Sequence, residues 1–408
     1  MAKASFFSRL KWEAQAVGNK AQGLEVLLPS CGRDRDASAA APDQQFRIII
    51  QNMTGSHVSE SESVLDNSGV GRWRHGLLVA LASLWIIDGL LQFQPAMYSR
   101  SLDGFLAKVL QYNTMGRPNP LTDLIRFLVT LTYGTHSHQI IFNTVAALAQ
   151  IAVGVAILFR KTERVGLLAS AFWALVPWVV GEAMGQMLFP QASMAFTGTP
   201  GAALIYLFLS IVLLRDHSLY PGSDSDASQF RREPGRAEEP SRLRVGSVSD
   251  LGVAGSRTAL AAWAVVWVGS ALFELELSNW SPNAISAQLK GIAAGEPSWI
   301  SAMDHILSHL TTGRGTTIAL LMAVVQAWVG VAALRPKLRR AALGVGIALS
   351  LFYWVAGQNF GQLLTGNATD PNLGPVMVLF ALALWPISAK EPSTPDGADL
   401  EAVQLTDV

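Results

Sequence analysis

The chain has 408 residues, half of them hydrophobic and only 15% charged, with 30 Lys and Arg balancing 30 Asp and Glu. Zero formal net charge offers no basic field for nucleic acid, and a lone cysteine, Cys31, excludes an internal disulfide, a cysteine metal site or an internal redox pair. The first 70 residues and a central stretch are polar, so the remainder is more apolar than the average, which points to a multi-pass protein of the plasma (inner) membrane.

Residues 1–70 read as a solvated cytoplasmic tail, with Gly32-Arg33-Asp34-Arg35-Asp36 and Ser59-Glu60-Ser61-Glu62-Ser63 setting its character. Phe46–Ile50 is its one apolar patch, and Met53 offers a second start. No secretory signal is apparent, so the first membrane helix is expected to act as an uncleaved anchor.

Hydrophobic runs predict membrane helices near 73–93, 140–159, 165–189 and 202–214, the last beginning nearer Gly198 to reach spanning length. The connection after the first holds two short helical patterns, 102–112 and 121–131. Residues 216–257, rich in Ser, Asp, Glu, Arg, Pro and Gly, read as a flexible cytoplasmic linker. Four more helices are expected near 259–277, 316–334, 341–364 and 375–386, then a disordered tail over 389–408.

The same sequence of events occurs twice. Trp178-Val179-Val180-Gly181-Glu182-Ala183-Met184-Gly185-Gln186 returns as Trp354-Val355-Ala356-Gly357-Gln358-Asn359-Phe360-Gly361-Gln362, 176 positions later (357 − 181). Gln150–Ala156 matches Gln326–Ala332 at the same offset, and Trp85–Gln94 matches Trp267–Glu276 at 182 (267 − 85). The expected fold is therefore an all-α membrane protein with eight transmembrane helices in two four-helix repeats, 71–215 and 258–388. Basic turns at Arg160–Arg164 and Arg335–Arg340 place both termini and the linker in the cytoplasm, and an even helix number makes the repeats parallel.

On helices, Gly181 with Gly185 and Gly357 with Gly361 form close-packing seams, with Glu182/Gln186 and Gln358/Gln362 as polar stripes beside them. Asp88, Glu182 and Glu274 then sit at one level, roughly 20–25 Å across a core of about 30 Å. With Gln92, Gln186, Gln358 and Gln362 they are the candidates for a polar pocket, because intramembrane carboxyls usually face a bundle interior and mark a pathway. The bland reading is that they satisfy one another or snorkel to the interface. Asp304, His305 and His309 place two imidazoles one helical turn apart beside a carboxyl, a geometry able to share a metal ion but lacking a third ligand at diagnostic spacing. No Walker loop, dinucleotide fingerprint, zincin motif or nucleophile elbow is present, so no catalytic residue is assigned and the sequence requires no cofactor.

A Gly-bearing first helix, a helical connection and a basic turn between the second and third helices resemble the DoxX/DoxD-like membrane superfamily. The Asp88–Pro95 and Gly181–Gly185 segments are more closely similar to a group of actinobacterial integral membrane proteins without an assigned activity. The likeness covers about 73–215 and 258–388. DoxD-like proteins are associated with thiosulfate:quinone oxidoreduction, so the resemblance implies a redox-associated or quinone-linked subunit, but none of their catalytic residues maps onto this chain. A quinone or haem held between the repeats would have Glu182, His305 and His309 as candidate contacts. The second copy departs from it, carrying Ser270 for Asp88 and Gln358 for Glu182. Two other readings stay open: a small-solute or proton-coupled transporter using the carboxylates, and a non-enzymatic scaffold whose 216–257 linker or N-terminal tail recruits a protein partner.

Overall fold

The computed structural model describes residues 69–101, 104–105, 120–187, 194–216 and 246–387. Cys31, the 46–50 patch, both expected tails, most of the 102–112 pattern and most of the linker lie outside the described residues. Those described are all-helical, with one isolated bridge, Arg215 to Gly252, and no strand. In chain order the helices are α1 (Gly69–Leu91), α2 (Pro95–Tyr98), α3 (Pro120–Tyr133), α4 (His136–Leu158), α5 (Glu163–Val176), α6 (Ala202–Leu213), α7 (Gly255–Glu274), α8 (Ala284–Ile292), α9 (Ser298–Thr311), α10 (Gly315–Ala333), α11 (Arg339–Ala356) and α12 (Leu373–Leu384).

Five of these are long and apolar enough to cross a membrane: α1, α4, α5 with its extension to Gly181, α7 and α10. Helices α6 and α12 are apolar but have 12 residues each, about 18 Å at the helical rise, short of a core of about 30 Å. Helix α6 starts at Ala202, not nearer Gly198, because residues 195–197 form a separate 3-10 turn. Helix α11 opens on Arg339 and Arg340 and falls outside the five.

Packing is densest between α1 and α4 and between α7 and α10. Small residues set those contacts. A Cβ added at Gly154 would lie 2.6 Å from the Ala82 carbonyl oxygen, and one at Gly330 would lie 3.0 Å from that of Ala264. The short helices α6 and α12 pack on each other at the centre, with the Phe208 and Phe380 rings 6.3 Å apart, and each also packs on its preceding long helix. Trp85 Nε1 on α1 donates to Ser170 Oγ on α5 at 2.7 Å, and Ser170 and Ser210 on α6 share a hydrogen bond of 2.6 Å.

The faces of α4 are inverted relative to a helix in water. Its buried side carries Gln139, Asn143 and Gln150, while Ile141, Val145 and Leu148 are exposed. Helix α10 does the same, burying Gln326 and exposing Leu321, Val324 and Val331. A helix in water points its apolar stripe inward. An apolar exterior over a polar seam instead suits a hydrocarbon surround.

The two Gly-rich segments do not continue their helices, which corrects the helices expected over 165–189 and 341–364. Helix α5 passes through a π turn, Pro177–Gly181, and then Ala183, Met184, Gly185 and Gln186 all have φ between 46 and 64°. After α11, Asn359, Phe360, Gly361 and Gln362 repeat this with φ between 47 and 73°. Four successive left-handed residues run against L-chirality, at about 1–2 kcal/mol for each non-glycine. Glycine relieves that strain at 185 and 361, where the backbone also meets Pro200 and Pro371 so closely that a Cβ would collide. These two glycines therefore fix turns against the entry to the next helix; they do not line a helix seam. A Cβ at Gly181 would make only an ordinary contact with Pro177, at 3.8 Å, whereas Gly357 is pressed against Phe196.

At the other end of the bundle Arg74 on α1 is ion-paired with Glu163 on α5 and donates to the Leu213 carbonyl at 2.6 Å. The linker's last residues are ordered there too. Val248 and Leu251 are buried in a 3-10 turn, and Val253 N donates to Leu214 O at 2.8 Å. The end of the 216–257 stretch is anchored by apolar burial and backbone bonds.

Candidate functional site

Asp88 lies one turn before the end of α1 and is 3% exposed, facing a cavity of about 120 Å³. Gln92 from α1, Gln150 from α4, Glu182 from the end of the π turn and Tyr206 from α6 line the same space. Asp370 completes the lining from the loop before α12, a segment far away in sequence. That loop is held over α1 by Gln94, whose Nε2 donates to Ala368 O at 3.4 Å.

Each carboxylate is positioned differently. Both Glu182 oxygens accept from Ala203 N, at 3.2 and 3.3 Å, so the side chain sits on the free amides at the start of α6. Asp370 accepts from Asn372 N at 2.6 Å and from Thr369 Oγ1 at 2.8 Å. Burial pushes the Asp370 carboxyl above its ordinary value of 3.8, against the pull of those two donors. Asp88 Oδ1 is buried without a hydrogen bond, as is Gln150 Oε1, and the Tyr206 hydroxyl lies beside the Asp88 carboxyl.

The matching positions of the second half look different. Trp267, Ser270, Tyr353, Gln358 and Met377 surround a void of only about 10 Å³. Gln358 Oε1 accepts from Gly374 N at 3.2 Å, as Glu182 does from Ala203. Trp178 Nε1 donates to Pro200 O at 3.0 Å and Trp354 Nε1 to Pro371 O at 2.7 Å. Those proline contacts align Asp370, which precedes Pro371, with Thr199, which precedes Pro200. The three acids of the cavity, Asp88, Glu182 and Asp370, thus face Ser270, Gln358 and Thr199 at the matching places. Glu274 is fully buried there; its Oε1 accepts from Gln326 Nε2 at 3.0 Å, and Gln326 also donates to the Tyr353 hydroxyl at 2.9 Å.

Of the residues expected in one polar pocket, the structure brings together Asp88, Gln92 and Glu182. Glu274 and Gln358 lie in the second packing region, and Gln186 and Gln362 occupy the left-handed turns, where Gln186 is exposed. The histidine site also separates. His305 and His309 are exposed on α9, whereas Asp304 is fully buried and its Oδ2 accepts from Asn359 Nδ2 at 2.8 Å. Among the described residues, no three of His, Cys, Asp and Glu are grouped to hold a metal ion. Tyr206 and Asp370 were not among the expected pocket residues. The signal for Asp370 was its place beside Pro371, matching the Thr199-Pro200 turn.

About 120 Å³ is room for roughly four waters at about 30 Å³ each, or for one small ion with part of its shell. Pockets for drug-sized ligands start at about 300 Å³. Unpartnered acceptors around such a space suit protons, water and small cations. Among the described residues, fold and site together define an all-helical architecture with membrane-length apolar helices and a partly open cavity lined by three carboxyls. No family model, curated protein or solved structure matches the chain.

Proposed function

We propose that this chain is a multi-pass integral membrane protein that takes up protons, alone or with one small cationic solute, at the cavity lined by Asp88, Glu182 and Asp370. The observation that carries this reading is the convergence of three carboxylates from α1, the π turn and the α12 loop on one small space, with Asp88 Oδ1 unpartnered. Intramembrane carboxyls facing a water-sized cavity are the usual parts of proton and cation pathways.

The architecture proposed with it is two parallel four-helix repeats with both termini cytoplasmic. Its support is the paired Trp-to-proline and Glu182/Gln358-to-amide contacts, the two left-handed turns and the basic turns at one end. Because the cavity draws residues from both halves, rocking of one against the other would change access to it.

The test is reconstitution into liposomes holding a pH-sensitive dye. An inward proton gradient should acidify the lumen faster than in empty vesicles, and Asp88→Asn should abolish the difference. Wild-type protein indistinguishable from empty vesicles, with and without an ammonium-type cation, would end this reading. The DoxX/DoxD-like kinship and its quinone-linked role stay a separate proposal on the 88–95 and 181–185 segments alone. An absorbance spectrum of purified protein that shows a bound chromophore would bring it forward.

A further inference from the structure

The acceptors around the Asp88 cavity are not equally committed. Both oxygens of Glu182 already accept from Ala203 N, and the two of Asp370 accept from Asn372 N and Thr369 Oγ1. Asp88 Oδ1 and Gln150 Oε1 have no hydrogen bond, on residues only 3% and 7% exposed that both line the space. They reach it from different helices, α1 and α4. A buried acceptor without a donor is costly. The donors that these two lack therefore have to come from whatever occupies the cavity.

Aromatic rings share the wall with those acceptors. Trp85 and Tyr206 line the same cavity with ring centroids 4.7 Å apart, and the one donor of Trp85 is spent within the fold, on Ser170 Oγ. A cation within about 6 Å of such a ring centroid is attracted by the negative ring face. Calcium instead takes about six to eight oxygen ligands, more than these free acceptors supply. A few directional acceptors beside aromatic rings suit a cation that carries its own N–H donors. Size limits it further. A space of about 120 Å³, some four waters at about 30 Å³ each, admits an ammonium nitrogen with about one or two carbons.

We propose that the cationic solute of this cavity is a small primary ammonium, whose N–H groups donate to Asp88 Oδ1 and Gln150 Oε1 while Trp85 and Tyr206 flank its charge. This rests on the proton and cation role of the cavity and narrows it from any small cation to one that donates hydrogen bonds. Carboxyls that the ammonium does not neutralise are left to carry the protons of that role. Gln150 is then a ligand-binding residue.

The test titrates methylammonium chloride into the full chain in detergent, at constant ionic strength, and reads the thermal midpoint. The midpoint should rise and saturate with methylammonium. It should stay unchanged with equal concentrations of sodium or of tetramethylammonium, which has no N–H to donate. Gln150→Leu removes one acceptor and should need about tenfold more methylammonium for the same shift, and Asp88→Asn should abolish the shift. Gln150→Leu carries the test if Asp88→Asn fails to fold. A sodium shift as large as that of methylammonium would overturn the assignment in favour of a metal ion. An unchanged midpoint with every salt would overturn it in favour of water alone in the cavity, and a Gln150→Leu titration like wild type would overturn it as well. Proton uptake by the same preparation in liposomes separates the two proposals. Uptake that persists without a methylammonium shift sinks only the ammonium assignment, whereas absence of both sinks the proton and cation role with it.

Discussion

The region around Asp88 and the region around Ser270 carry paired sequence motifs yet treat polarity differently. In the first, three carboxylates surround about 120 Å³ of space. In the second, Tyr353 and Met377 help fill the volume to about 10 Å³, and the one acid, Glu274, is held by Gln326. The scaffold contacts are shared between them while the chemistry is not: Glu182 and Gln358 make the same bond to the next helix with a carboxyl and an amide oxygen. Helix capping needs only an acceptor, which the Gln358 amide supplies as well as the Glu182 carboxyl, so capping by itself does not require an acid at 182.

The comparison breaks most sharply at the paired glutamines. Gln326→Leu strands the buried Glu274 and is expected to cost about 3 kcal/mol or more, whereas Gln150→Leu, facing the cavity, should cost less than about 1 kcal/mol. Chemical unfolding of both variants in detergent measures the contrast; equal losses would mean that Gln150 is as structural as Gln326.

Next come the left-handed turns. Gly185→Ala and Gly361→Ala each force a Cβ into a neighbouring proline's backbone at positive φ. Each is expected to lower stability by about 1–3 kcal/mol, and by similar amounts if the turns serve one scaffold role. A loss at only one position would separate the two.

Glu182→Gln sharpens the comparison because it copies Gln358. The bond to Ala203 N is retained, so stability should change by less than about 0.5 kcal/mol, while proton uptake in liposomes falls to that of empty vesicles. Full activity in this variant would assign Glu182 to capping alone.

The smallest expected effect is in pH dependence. Burial raises Asp370 above 3.8, so its contribution to stability is complete below that value and is lost as pH rises through the elevated folded value. The wild-type thermal midpoint should therefore fall more between pH 4 and pH 7 than that of Asp370→Asn. Parallel profiles would show that Asp370 titrates as though in water.

Much of the fold was legible in the chain. Five membrane-length helices, the short helical segment at 120–133 and the paired motifs follow from hydropathy and spacing, which are local properties. So does the choice of Asp88, Gln92 and Glu182 as candidate pocket residues, which line one cavity. Tertiary structure decided which of these groups meet. Glu274 went to Gln326, not to Glu182, and Asp370 entered from a loop with no apolar periodicity to place it. The left-handed turns at 183–186 and 359–362 were also hidden, since a Gly-x-x-x-Gly spacing reads as a helix seam until Pro200 and Pro371 crowd the backbone. Hydrophobic period fixes where a helix lies along the chain. The partner of a buried carboxylate depends on contacts between segments far apart in sequence, and no local pattern encodes those.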